Sequence, residues 1–293
     1  MKTFHVEHDM KTNKIHINLK DHAVSGESFK LLVDPSYGFL YTDPKPNNLD
    51  LKAYYPNTGY ISHNNQLSSF VDVMYHVVRY FSLKKKIRLL SPFKGKSGKL
   101  LDVGAGTGHF IRSVNLAGWD ATGIEPNSSA RKIANSKGKP LVFDNDALSH
   151  FSECSFDVIT LWHVLEHLPD LLESIDVFRK LLKPNGHIVV AVPNYKSYDS
   201  SYFKSFWAAY DVPRHLWHFS QDSIVKVFSK FQMSLESIHP MKMDSYYVSM
   251  LSNKYKSGSH KVMSSLWTGL LSNVKASRTG EYSSLIYVLK NTD

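Results

Sequence analysis

A single cysteine, Cys154, stands in a chain of 293 residues. This excludes an internal disulfide framework and a thiolate-rich zinc site, and points to a reducing compartment. No apolar run approaches the length of a membrane span, and Met1-Lys2-Thr3-Phe4-His5-Val6-Glu7-His8-Asp9 has no apolar leader core, so a cytoplasmic protein is expected. Acidic residues are in the minority, 26 against 35 lysines and arginines, giving a formal net charge of +9. The excess is dispersed except at Lys84-Lys85-Lys86-Ile87-Arg88 and Lys94-Gly95-Lys96, which read as a solvated helix face or as a phosphate-binding patch. Hydrophobic residues make up 42% of the chain, enough for one large core or two modest ones.

What the chain does contain centres on Leu100-Leu101-Asp102-Val103-Gly104-Ala105-Gly106-Thr107-Gly108, a buried strand running into a glycine turn. His109-Phe110-Ile111-Arg112-Ser113-Val114 then opens a helix whose free N–H groups favour an anionic ligand group. A dinucleotide fingerprint would carry its third glycine at position 109, which is histidine here. Asp102, just before the turn, would repel a pyrophosphate but suits a cation such as an ammonium group.

Strand and helix patterns alternate from this point. Asp120–Ile124 is a second strand ending at Glu125, where a carboxylate can accept two hydrogen bonds from a ribose diol. Residues 140–143 form a third strand leading into Asp144-Asn145-Asp146-Ala147, and either Asn145 or Asp146 is placed to bind an adenine amino group. Residues 156–161 form a fourth strand that delivers Trp162 and His163, and a helix over 169–183 closes in the turn Lys183-Pro184-Asn185-Gly186. Residues 187–193 form a fifth strand, and 235–238 and 282–290 a sixth and a seventh. The fold class is therefore α/β, a Rossmann-like doubly wound sheet of seven strands. Residues 1–50 read as a small β-rich unit, 51–96 as a helical lid or linker, and 97–293 as the main domain with an aromatic insertion at 194–218.

Three constellations have competing readings. His163-Val164-Leu165-Glu166-His167 matches the H-x-x-E-H spacing of zinc peptidases, but Pro169 leaves little room for the helix such a site needs. His5, His8, His16 and His22 have partly ligand-like spacing, yet no cysteine completes a closed zinc set. The tyrosines 54, 55 and 60 either lie over a bound adenosine or pack between domains, and the insertion with Tyr210, Arg214, His215 and His218 either lines a pocket for an apolar or planar acceptor or packs on itself.

Taken together, Leu101–Gly108, Gly123-Ile124-Glu125-Pro126, Phe156-Asp157-Val158-Ile159 and Leu161–His167 resemble the class I S-adenosylmethionine-dependent methyltransferases. With Asp211–Ser220, Tyr54-Tyr55 and Tyr60-Ile61-Ser62-His63, they look most like the bacterial branch related to ubiquinone-biosynthesis O-methyltransferases. Some members carry an N-terminal zinc-binding unit; this chain has Asp34-Pro35-Ser36-Tyr37-Gly38 where that unit would place C-x-x-C-G, so the metal is expected to be lost and the β framework kept. The resemblance implies S-adenosylmethionine as cofactor, an antiparallel final hairpin and a small-molecule methyl acceptor. It assigns the cofactor to Asp102, Gly104, Ala105, Gly106, Gly108, Glu125, Asn145, Asp146, Ala147, Leu161, Trp162 and His163. It assigns the acceptor to Tyr60, His63, Tyr210, Arg214, His215 and His218, with His163 or His215 as general base for a hydroxyl and no metal. A cofactor-binding pseudo-enzyme and a nucleic-acid methylase are the alternatives; the latter lacks an N-P-P-Y-type run after the fourth strand.

Overall fold

The computed structural model describes residues 14–47, 53–54, 83–94, 98–136 and 138–293. Tyr60, His63, His5, His8, Tyr55 and the part of the expected helical lid or linker over residues 55–82 lie outside the described residues.

In chain order, β1 (Ile15–Lys20), β2 (Ser28–Val33) and β3 (Leu40–Asp43) are antiparallel neighbours. Helix α1 covers 83–90. The alternating region follows as β4 (Lys99–Val103), α2 (His109–Leu116), β5 (Asp120–Ile124), α3 (Ser128–Ala134), β6 (Val142–Phe143), β7 (Phe156–Trp162), α4 (Leu171–Leu181) and β8 (Leu182–Pro193). The remainder is α5 (Tyr198–Phe203), β9 (Trp217–His218), α6 (Gln221–Ser229), β10 (Met233–Pro240), α7 (Asp244–Ser257), α8 (Val262–Thr279) and β11 (Ser284–Asn291). Seven strands form one mixed sheet in the order β10-β11-β8-β7-β4-β5-β6, with one antiparallel hairpin. The chain winds outward from β4 in both directions, which makes the loop after β4 the topological switch point where ligands bind in such sheets.

The chain divides into two compact units, one of Asn57–Trp162, Val177–Val190 and Val288–Asp293, the other of Met1–Pro56, His163–Asp176 and Ala191–Tyr287. We call them the glycine-loop unit and the histidine unit. In the glycine-loop unit β4 pairs in parallel with β5, Leu101 opposite Thr122, and with β7, Leu101 opposite Ile159. Leu100, Leu101, Ile124, Val158 and Ile159 are fully buried, each contributing about 1.5–3 kcal/mol of hydrophobic stabilisation. That burial on both faces is why the strands read as continuous apolar runs. Helix α2 adds Phe110, Ile111 and Val114 from one face.

The third strand is shorter than the expected 140–143. The Asn135 side chain accepts from the N–H groups of Leu141 and Val142 at 3.0 and 3.1 Å and donates to the Val142 carbonyl at 2.7 Å. The Leu141 carbonyl still accepts from the Gly123 N–H at 2.8 Å, but the Leu141 N–H is taken by Asn135 and Pro140 has no N–H to offer. The fifth strand is longer than expected, since β8 absorbs the turn at 183–186 with Asn185 at φ 60°.

In the histidine unit β9 is the fourth strand of the N-terminal sheet, with Leu40 opposite His218 and Tyr41 opposite Trp217. Leu19, Phe29, Leu31 and Leu40 share a core with Phe203, Trp207, Tyr210 and Val212. Much of the aromatic insertion is therefore packing material. At the turn where cysteines would hold zinc, Asp34 accepts from the N–H groups of Ser36 and Tyr37 at 3.0 and 2.7 Å, so a carboxylate closes the loop.

Candidate active site

The glycine turn of the glycine-loop unit is held from below by the adjacent strand. The Gly104 and Ala105 N–H groups both donate to the Ile124 carbonyl, at 2.8 and 2.9 Å. Gly104, Gly106 and Gly108 have φ of 73°, 55° and 73°, a region that side chains disfavour. The approach of the next strand needs a glycine too: a Cβ on Gly123 would sit 2.6 Å from the Ala105 methyl. Glu125, 5% exposed, accepts from the Gly106 N–H at 2.8 Å through Oε2 and from the Asn127 N–H at 2.8 Å through Oε1. Each oxygen keeps a further lone pair for a ligand hydroxyl. Arg131, which no motif or spacing marks, braces the strand ends by donating to the Glu125 carbonyl at 2.7 Å and pairing with Asp144 at 2.8 Å. Asn145 and Asp146 are exposed and Ala147 half-buried at that edge.

Asp102 is 2% exposed and accepts from the Thr160 hydroxyl at 2.6 Å. Burial pushes its carboxyl up to about 7, against the opposing pull of Thr160 and Lys86. Lys86, from the basic run on α1, lies 4.2 Å from the centroid of Trp162, whose ring meets Phe110 edge-on at 5.5 Å. One member of that run is thus part of the site rather than a solvated face, a contact between distant segments that has no local sequence signal. Trp162 Nε1 is buried with no hydrogen-bond partner. Leu161 is fully buried, so any contact it makes to a ligand is through its backbone.

The histidine unit gathers a second set of groups. His163 has φ 57° and its N–H donates to the Ala191 carbonyl at 2.9 Å, a strained conformation of the kind found at functional sites. Its Nδ1 lies 3.4 Å from Glu166 and its Nε2 3.4 Å from Asp244. Burial alone would lower its pKa, but the Asp244 and Glu166 carboxylates outweigh that and raise it to about 9. Glu166 is 1% exposed, and neither carboxylate oxygen has a hydrogen-bond partner of good geometry. Burial would raise its pKa; contact with His163 outweighs that and holds it below the usual range.

His167 Nδ1 donates to the Arg214 carbonyl and His215 Nδ1 to the Ala209 carbonyl, each at 2.9 Å, which places the lone pair of each neutral ring on Nε2. The two rings stand edge-on, 4.6 Å apart. Burial, with His167 beside it, pushes the His215 pKa down to about 4, so its ring is neutral. Glu166, His167 and His215 bring one donor atom each within 4.8 Å of one another. This is not the His163–His167 pair of the H-x-x-E-H spacing, since residues 165–167 form a single 3-10 turn. A two-histidine, one-carboxylate set whose imidazoles are anchored through their other nitrogen could hold a divalent cation.

Arg214 is 6% exposed and paired with Asp21 at 2.9 Å and with Asp211 at 2.7 Å. It clamps the N-terminal sheet to the insertion within this unit. His218 is 4% exposed, with Nε2 3.1 Å from the Thr42 hydroxyl, and burial lowers its pKa well below the usual value. Tyr210 is 3% exposed and shares a hydrogen bond with Ser200 at 3.2 Å. His16 and His22 pack against rings, His16 on Tyr195 and His22 on Phe206.

The profile of a family described as a methyltransferase domain matches residues 75–238. A ubiquinone biosynthesis O-methyltransferase of Actinobacillus pleuropneumoniae is 35% identical over 131 residues, covering 38% of this chain and 56% of that protein. One from Vibrio cholerae is 35% identical over 120 residues, covering 38% and 49%. The chain thus spans about half the length of the curated relatives it matches. Among solved structures, a protein provisionally assigned as a sarcosine dimethylglycine methyltransferase from Galdieria sulphuraria superposes with a TM-score of 0.51 at 15% identity, over 77% of this chain and 89% of that one. Phosphoethanolamine N-methyltransferase 2 of Haemonchus contortus, in complex with S-adenosyl-L-methionine, gives 0.50 at 15% identity, over 72% and 53%. At such identity the likeness establishes the fold.

Proposed function

We propose that this chain, which belongs to the methyltransferase domain family and has the class I S-adenosylmethionine-dependent fold, transfers a methyl group from S-adenosylmethionine to an oxygen of a small-molecule acceptor. The main support is the pairing of Asp102 with Glu125 around the glycine turn. One carboxyl is buried, which raises its pKa to about 7, and the other is fixed on the Gly106 N–H with acceptor capacity to spare. Both fit the donor: Asp102 would take its ammonium group and Glu125 its ribose hydroxyls. Asn145 or Asp146, with Ala147, would meet the adenine edge. Trp162 would border its ring with an indole N–H that has no partner among the described residues.

When bound, S-adenosylmethionine supplies a reactive methyl on a sulfonium. The chain itself has to hold and orient, an effect that can be worth on the order of 7–11 kcal/mol, and remove one proton from the acceptor hydroxyl. We assign that proton to His215 Nε2, because the Ala209 carbonyl fixes the tautomer with its lone pair there. His163, held protonated between Glu166 and Asp244, instead stabilises negative charge. The relatives' name, ubiquinone biosynthesis O-methyltransferase, supports an oxygen as the atom that receives the methyl group.

A second reading of the same cluster has Glu166, His167 and His215 holding a divalent cation beside the acceptor. It is favoured by the burial of Glu166 beside two imidazoles, with one donor atom of each of the three groups within 4.8 Å of the others. The test measures methyl transfer to a panel of phenols before and after chelation. Activity that survives chelation and is lost in His215→Ala supports the base; activity abolished by chelation and restored by Mg2+ or Mn2+ supports the cation. Cofactor binding with no product from any acceptor would favour a cofactor-binding pseudo-enzyme.

A further inference from the structure

Helix α8 has an inverted distribution of polarity. Its buried positions are small or polar, Ser265, Thr268, Gly269, Ser272 and Ala276, and they meet Ser245, Ser249, Ser252 and Asn253 of α7, which also buries Val248 in the core of the histidine unit. Asn253 donates to the Ser265 hydroxyl at 2.8 Å, Ser245 to the Gly269 carbonyl at 3.1 Å, and Asn273 to the Ser245 hydroxyl at 3.0 Å. A Cβ on Gly269 would lie 2.9 Å from the Tyr246 Cα, so only glycine permits this approach of the two helices. The outward face of α8 is apolar, with Met263 80% exposed, Trp267 62%, Val262 55%, Val274 51%, Leu266 47% and Leu270 43%.

A helix stabilised in water by its packing buries the apolar stripe and exposes the polar one. Here hydrogen bonds and close small-residue packing join the helices while the larger apolar side chains face outward, the pattern of helices whose surroundings are lipid. No helix of the described residues is long and apolar enough to cross a membrane, so the fitting geometry is a hairpin lying in the interface. Charge selects the surface. Residues 244–279 contain five basic side chains (Lys254, Lys256, Lys261, Lys275 and Arg278) and one acid, Asp244. A second copy would present the same positive excess and be repelled. An anionic headgroup layer complements it.

We propose that the α7–α8 hairpin docks the protein on an anionic lipid surface, with Trp267 and Met263 entering the acyl boundary. This goes beyond the methyl-transfer reading and does not depend on it. The test is co-sedimentation of the full chain with phosphatidylcholine vesicles, with and without phosphatidylglycerol. Binding is expected to be at least about tenfold stronger with the anionic lipid and to weaken as salt rises. M263S/W267S should lower the partition coefficient about tenfold or more, with circular dichroism and calorimetric S-adenosylmethionine binding unchanged. If that variant misfolds, W267F takes its place: it should still sediment with vesicles, while quenching of tryptophan fluorescence by brominated acyl chains falls. No vesicle binding, equal binding to neutral and anionic vesicles, an M263S/W267S variant that binds like the original chain, or unchanged quenching in W267F would each overturn the proposal. So would conversion of a dimer to a monomer by M263S/W267S, which would identify a second copy as the occupant.

Discussion

The glycine loop and the histidine cluster prepare for ligands in opposite ways. On the proposed reading the loop would bind through its backbone: glycines at positive φ open it, and Glu125 and the Ile124 carbonyl hold its N–H groups in place. In the cluster the side chains are the binding groups and the backbone is the clamp, with the Arg214 and Ala209 carbonyls setting the tautomers of His167 and His215. A backbone cradle tolerates many side chains but few changes at glycine. A clamped imidazole tolerates the reverse, so substitutions should separate the two regions cleanly.

The largest separation is expected from His215→Ala. Turnover should fall about 10²- to 10⁴-fold while calorimetric affinity for S-adenosylmethionine stays within about twofold, and an equal loss of both would merge the two regions. Glu125→Ala should do the opposite. It removes a charged acceptor from the ribose and from the Gly106 N–H, which predicts a loss of affinity of about 10- to 100-fold, read by the same titration.

The next effect is on pH. Asp102 is held near 7 when no cation is bound, and a bound ammonium group favours its ionised form. Binding should therefore release a proton, and affinity should rise as pH increases through about 7, with Asp102→Asn removing most of the slope. A slope that persists in Asp102→Asn would locate the titration elsewhere.

The smallest effect concerns the frame of the histidine unit. Burial would raise the Asp21 carboxyl, but hydrogen bonds from Arg214 and the local backbone bring it down to about 2. A depressed carboxyl stabilises the fold above its unfolded value near 4 and loses that contribution as pH falls toward 2. Asp21→Asn should thus cost on the order of 2 kcal/mol at neutral pH and flatten the acid limb of a melting-temperature profile, with little change in cofactor affinity.

The contrast also explains what the chain's own residues made legible. The parallel strands and the glycine turn announce themselves because burial on both faces gives runs such as Leu100-Leu101, and because the turn's conformation demands glycine within five residues. The seven strands of the sheet follow from the same local signals, whereas the antiparallel final hairpin is implied by the family resemblance alone. The histidine cluster depends on contacts between residues about fifty positions apart, Glu166 and His167 with His215, and no period or spacing encodes that. Lys86 beside Trp162 is hidden for the same reason. Arg214 illustrates the reverse difficulty: an arginine among aromatic residues suggests a ligand, whereas two carboxylates already engage its guanidinium. The aromatic insertion reads equally as pocket or packing in sequence, and the structure buries Phe203, Trp207 and Tyr210 in a core shared with the N-terminal sheet.

The most direct measurement is isothermal titration of the full chain with S-adenosylmethionine, its demethylated product and NAD. A glycine turn flanked by Asp102 and Glu125 predicts that the first two bind, that Glu125→Ala weakens both, and that NAD gives no heat. Absence of binding by the first two, or saturable binding of NAD, would contradict the assignment of the loop to a sulfonium cofactor.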